Sequence, residues 1–183
     1  MRPHIALFSQ TGTEIVNIAK ERDRWPDRIV TNSRPEGKRQ VHLELKGKYV
    51  VLPYSPTVED YDKVFSKFDN PVITLHGWLR IIPEEICNKY EIYNGHPGDI
   101  ITYPELKGKD PQKRAYELDL PYSGAVIHRV VPEVDSGEII GSDSVYIKEL
   151  SLAEIFHTLH NISTNLWVKY LPKLLNEQEN KWF

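Results

Sequence analysis

The 183-residue sequence predicts an α/β fold built on an open, mostly parallel sheet with an antiparallel edge. Short apolar runs alternate with amphipathic stretches at spacings that suit β-α-β units. Toward the C-terminus the alternation breaks, because "GAVIHRVV" and "EIIGSDSVYI" follow each other with only "PEVDSG" between them. A chain of this length holds one sizeable core and not two, so residues 1–183 are expected to form a single domain.

Each element has its own warrant. "HIALFS" reads as a first buried strand, and Gly12 then punctuates a turn before a helix carrying Ile15, Val16, Ile18 and Ala19. "RIVTNS" is a second short strand. Residues 33–47 are charged and broken by Pro35 and Gly37, which predicts a loop leading into a strand at Val41 to Leu45. "YVVLPY" is again strand. "TVEDYDKVFSKF" is a helix that Thr57 and Asp60 open as a capping box. "PVITLHG" is a near-continuous apolar run, and Pro83 starts the next helix, where its missing N–H costs nothing.

"EIYN" returns to strand, and the region from Gly95 to Lys109 looks irregular. Asp110 and Pro111 then open a short helix. The final segment has Ser151 and Glu154 as a second capping box. Its apolar stripe runs Leu152, Ile155, Phe156, Leu159, Ile162, Leu166, Tyr170.

Composition narrows the function classes. Hydrophobic residues are 40%, charged residues 27%, and the net charge is -3, so bulk charge gives no argument for a nucleic-acid partner. Cys87 stands alone, which rules out an intrachain disulfide and thiolate-rich metal sites and points to a reducing compartment. The N-terminal apolar run is too short for a signal peptide, and nothing approaches a membrane span. A cytoplasmic setting is expected.

Ligands of open α/β sheets sit beyond the carboxyl ends of the strands. Three segments end strands with unusual side chains: "LHGWLRI", "IYNGHPG" and "RVVPEVDSGEII". If those ends are neighbours, Asn94, His96 and Asp135 converge. An imidazole, a carboxylate to orient it and an amide donor make an acyl-transfer set, with attack by an amine or by water. Taken singly, Asn-x-His and "VDSG" are equally good as plain turns. His76 ends a strand near the same place. His128 lies in a strand pattern that leaves its face open. Glu154, His157 and His160 have a spacing that suits a metal, but a di-iron bundle needs a second such motif, so no metal is expected.

From "VITLHGWLRIIPEEI" through "NGHPG", "YPELKGKDPQKRAYE" and "GAVIHRVVPEVDSGEII", the sequence resembles the folate-dependent formyltransferases. These include glycinamide ribonucleotide transformylase, methionyl-tRNA formyltransferase and the sugar N-formyltransferases. The Asn-x-His turn followed some forty residues later by an Asp-x-Gly loop carries the likeness, which is fainter over "IALFSQTGTE" and the final helix. The resemblance implies a single Rossmann-like formyltransferase domain with helices on both faces of its sheet. It implies 10-formyltetrahydrofolate as formyl donor and a primary amine as acceptor. Asn94 would hold the developing oxyanion, His96 would stabilise it and move protons, and Asp135 would order water or the imidazole.

The same resemblance lines a pterin slot with Leu79, Arg80, Ile82 and Ile92 and with the backbone of Val131, Pro132, Glu133 and Val134. Simple core packing is an equal reading for Ile82 and Ile92. On the acceptor side, Gly12 and Thr13 offer N–H and hydroxyl contacts to a phosphate, against which Glu14 sets a negative charge. Lys107 and Lys109, with Lys113 and Arg114, form either a solvated basic face or a counter-charge for an anionic acceptor. "HPGDI" replaces the family's usual "HPSLLP", so the surprise is expected at Gly98 and Asp99.

The tRNA enzymes carry a second C-terminal domain for which this chain has no room, so a small, phosphorylated acceptor of nucleotide or sugar-nucleotide type is the expectation. A hydrolase giving the formyl group to water, and a folate- or nucleotide-binding module without catalysis, are the alternatives. The oligomeric state stays open, with a homodimer in view because the C-terminal "KWF" offers a packing surface.

Overall fold

All five residues of β1 (His4–Phe8) are buried, as expected of a strand with neighbours on both edges and layers on both faces. Each fully buried Ile5, Leu7 and Phe8 side chain contributes about 1.5–3 kcal/mol. The computed structural model describes residues 1–32 and 40–177, so part of the charged 33–47 stretch and the C-terminal "KWF" lie outside the described residues.

The remaining strands are β2 (Arg28–Asn32), β3 (Tyr49–Leu52), β4 (Val72–Leu75), β5 (Glu91–His96), β6 (Tyr122–Arg129) and β7 (Ile139–Tyr146). They form one seven-stranded sheet in the order β3-β2-β1-β4-β5-β6-β7. The first five in that order are mutually parallel, while β6 runs antiparallel to both β5 and β7. The antiparallel edge therefore lies where the two consecutive strand patterns put it.

Helices cover both faces. α1 (Thr13–Glu21) and α5 (Leu152–Leu174) pack on one, with Ile15 and Val16 against Ala6 and Phe8, and Leu166, Trp167 and Leu171 against Tyr93, Ala125 and Ile127. On the other, α2 (Val58–Phe65) and α3 (Glu84–Lys89) bury Tyr61, Phe65, Ile86 and Cys87 against Ile5, Leu7, Ile73 and Ile92. α4 (Pro111–Glu117) lies near α5. Both capping boxes form: Thr57 with Asp60, and Ser151 with Glu154.

One element differs from expectation. Val41 to Leu45 is not a strand; Leu43–Leu45 is a single 3-10 turn, with the His42 ring accepting from the Glu44 N–H. Leu45 is fully buried beside Phe8 and Ile15, whereas Leu43 is exposed. Leu45, with the half-buried Val41, packs on the α1 side of the sheet instead of extending it. No described helix is long and apolar enough to cross a membrane.

Candidate active site

Alternation along β5 settles which side chains face together. Ile92 points into the core on the α2–α3 face, so Asn94 and His96 share that face, while Tyr93 and Gly95 look toward α5. The strand runs on through His96, two residues beyond the "EIYN" pattern. Gly95 is a glycine because Trp167 leaves no room: a Cβ there would stand 2.6 Å from the indole Nε1. The helix breaker between the two polar residues thus serves packing.

The antiparallel pairing of β6 sets His128 directly opposite Asn94, and the Asn94 amide nitrogen lies 3.2 Å from His128 Nε2. Beyond β6 the chain turns through Asp135, which takes a left-handed conformation at φ 49°. That turn brings the carboxylate back against the strand ends. Oδ1 lies 3.2 Å from His128 Nε2, and Oδ2 lies 3.3 Å from His96 Nδ1. The three residues expected to converge are thus joined in one array, Asn94–His128–Asp135–His96, with His128 as the member that the sequence left undecided. The signal for it was the β5–β6 register, which sequence pattern alone does not supply.

Two backbone groups hold the array from behind. The Gly108 N–H donates to Asp135 Oδ2 at 2.8 Å, and the Leu106 carbonyl lies 2.9 Å from His96 Nε2. A carbonyl only accepts, so Nε2 carries a proton; Nδ1 faces the carboxylate at the longer 3.3 Å, where a second proton sits when the ring is charged. His128 repeats the arrangement, with Nδ1 donating to the Arg129 carbonyl at 2.9 Å and Nε2 facing Asp135.

Charge follows geometry. Burial pushes the Asp135 carboxyl up, but the hydrogen bond from His128, the His96 charge and the Gly108 N–H outweigh it and bring the pKa down to about 2. Burial lowers the His96 pKa, and the attraction of Asp135 only partly offsets this. An ionised carboxylate therefore stands beside an imidazole whose neutral form is favoured by burial.

Gly98 and Asp99 also find their reasons. A Cβ at Gly98 would meet Pro111 at 2.9 Å and His96 Nε2 at 3.1 Å, so the small residue lets α4 begin against the imidazole. Asp99 is buried and accepts from the Thr102 N–H at 3.0 Å, closing the turn that follows.

The residues expected around a pterin divide into two groups. Ile82 and Ile92 are buried in the core, and Val130 packs on them where the Asp135 loop begins. Leu79 and Val134 are more than half exposed, Pro132 and Glu133 are exposed, and Val131 is half-buried. Arg80 stacks on Tyr54 with its guanidinium carbon 3.7 Å from the ring centroid. The result is an apolar edge over a rigid floor.

Gly12 caps α1 at φ 74°, and the Thr13 hydroxyl bonds that of Thr11 at 2.8 Å. Glu14 does not guard this helix start. Its carboxylate turns to His76 Nδ1 at 2.7 Å, where burial raises its pKa but the bond and charge of His76 outweigh that and lower it. His76 lies on the α5 face, its ring packed at a tilt with its centroid 4.8 Å from that of Trp167, and so not with Asn94. Lys107 reaches Ser136 at 3.3 Å, next to Asp135, and Lys109 is exposed. Among the described residues no group of three or more His, Cys, Asp or Glu is placed to hold a metal.

Comparison with known proteins identifies the family. The formyl transferase family profile matches residues 6–171. Over 89 residues the chain is 34% identical to the trifunctional purine biosynthetic protein adenosine-3 of Gallus gallus, covering 48% of this chain and 9% of that one. It is 25% identical over 168 residues to methionyl-tRNA formyltransferase of Thermotoga neapolitana, covering 90% of this chain and 52% of that one. The chain thus spans about half the length of these curated relatives or less. The crystal structure of phosphoribosylglycinamide formyltransferase from Anaplasma phagocytophilum superposes with a TM-score of 0.83 at 20% identity, over 97% of this chain and 89% of that one, and so shares the fold. With the profile matched from β1 to the last turn of α5, the chain belongs to the formyl transferase family.

Proposed function

We propose that the chain, working as one domain over residues 1–183 in the cytoplasm, moves the formyl group of 10-formyltetrahydrofolate to a primary amine. The acceptor in this reading is a small, phosphorylated molecule of nucleotide or sugar-nucleotide type. The observation that carries the proposal is the joined array of Asn94, His128, Asp135 and His96, with the exposed Val134 next to Asp135.

The roles follow from the atoms. The acceptor nitrogen bonds to the formyl carbon, the bond from that carbon to the donor nitrogen breaks, and one proton passes from the acceptor nitrogen to the donor nitrogen. Asn94 presents an amide N–H to the oxygen on which negative charge develops. His96 Nδ1, its other nitrogen committed to Leu106, takes up and returns the proton, and Asp135 steadies the transient imidazolium. His128 Nε2 lies 3.2 Å from both the Asn94 amide nitrogen and the Asp135 carboxylate and bonds one of them at a time, accepting from the amide or, when protonated, donating to the carboxylate.

The flat donor ring lies against Leu79, Arg80 and the backbone of Val131 to Val134, with Ile82 and Ile92 as the floor. Gly12 and Thr13 at the start of α1, with Lys107 and Lys109, face the acceptor's negative charge. Glu14 leaves that role open by pairing with His76.

Tetrahydrofolate release from the donor, followed with and without a broad panel of amines, tests this reading. Release that depends on an amine is the expected result. Equal release without any amine would instead mean hydrolysis, and no release with any amine would mean a binding module.

A further inference from the structure

His96 and Asp135 are both held by one short, largely exposed segment. Leu106 gives its carbonyl to His96 and Gly108 gives its N–H to Asp135. Glu105 and Lys107 are exposed, and regular structure in this stretch is limited to the 3-10 turn Pro104–Leu106. Pro104 and the fully buried Leu106 side chain anchor the segment, and the Glu105 and Lys107 carbonyls on either side are held from outside it.

Arg114 holds these carbonyls from α4. Its Nη1 donates to the Glu105 carbonyl at 2.6 Å and its Nη2 to the Lys107 carbonyl at 2.5 Å. These two carbonyls bracket that of Leu106. The Lys107 carbonyl and the Gly108 N–H are moreover the two ends of a single planar peptide unit. A guanidinium on the carbonyl end polarises the N–H end toward the Asp135 carboxylate. Only a rigid fork reaches two carbonyls at once; an ammonium is a point charge on a flexible stem.

We propose that Arg114 is a positioning residue for the reaction. It locks residues 105–108 so that the Leu106 carbonyl keeps the His96 proton on Nε2 and the Gly108 amide keeps Asp135 in place. The buried Arg114 Nε, which has no hydrogen-bond partner, fits a side chain oriented by its two carbonyls. The inference rests on the proposed function only in taking His96 and Asp135 as the groups that do the chemistry.

The test uses Arg114→Ala and Arg114→Lys, each checked for folding by circular dichroism and thermal melting. Nitrogen-15 spectra of the histidine rings, taken where His96 is neutral, read its tautomer without any substrate. The wild type should show one species with the proton on Nε2, and both variants a mixture of tautomers. Turnover in both variants should fall about tenfold to a hundredfold with KM little changed, because aim is lost and binding is not. A folded Arg114→Ala that keeps the single Nε2–H species overturns the proposal. If the alanine variant does not fold, Arg114→Lys decides, and a single tautomer with wild-type turnover overturns it. Should the wild type transfer no formyl group at all, the spectra still judge the clamp separately from the proposed function.

Discussion

Asp135 stands between two imidazoles that have each committed one nitrogen to a backbone carbonyl. The remaining nitrogens, His96 Nδ1 and His128 Nε2, both face the carboxylate. Burial depresses the His96 pKa below the ordinary 6.5 despite the carboxylate beside it. In the proposed mechanism the neutral imidazole is the working form. Activity should therefore be full above that lowered pKa and be lost as pH falls through it. A profile of kcat/KM against pH should place the acidic limb below 6.5. A limb lying above that value would mean that some other group governs the reaction.

At the scale of elements, the sheet keeps two polar systems on opposite faces of adjacent strand ends. On the α5 face, the fully buried Thr74 hydroxyl of β4 lies 2.8 Å from both His4 Nε2 and His76 Nε2. One hydroxyl donates once and also accepts, so a consistent chain runs from His4 to Thr74 to His76 to Glu14. Burial and the nearby charges of His76, Arg22 and Arg24 hold the His4 pKa well below its ordinary value, which keeps that ring neutral in the chain. Thr74→Val keeps the shape and strands two buried ring nitrogens. Urea unfolding should show a loss of about 1–3 kcal/mol for each of them. A loss within error of zero would mean that the chain contributes nothing to stability.

These elements also show what the sequence made legible. The capping boxes at Thr57 and Ser151, Pro111 at the start of α4 and the apolar runs of β1 and β4 are local signals, and each appears where the pattern puts it. Val41 to Leu45 misled because apolar residues that pack on a sheet have the composition of a strand. His128 was left without a face, and Arg114 was read only as part of a basic face or acceptor counter-charge, because their partners are a cross-strand amide in one case and two loop carbonyls in the other, which sequence pattern does not show.

Across the whole molecule, the parallel part of the sheet brings the ends of β1, β4 and β5 together, and the antiparallel turn of β6 returns Asp135 to them. The fold was legible because its periodicities are long and regular. Of the candidate site, the convergence of Asn94, His96 and Asp135 was legible, because each lies at or just beyond a strand end. The acceptor was not, because Lys107 and Lys109 are exposed groups whose type suits many anions, and Gly12 is buried at the start of α1 with only the half-buried Thr13 beside it.

The most direct measurement compares wild type and His96→Ala for transfer of a labelled formyl carbon from 10-formyltetrahydrofolate to the amine that the panel identifies. Turnover should fall at least about a hundredfold while the donor still binds. Near-wild-type transfer by His96→Ala would contradict the assignment of this site.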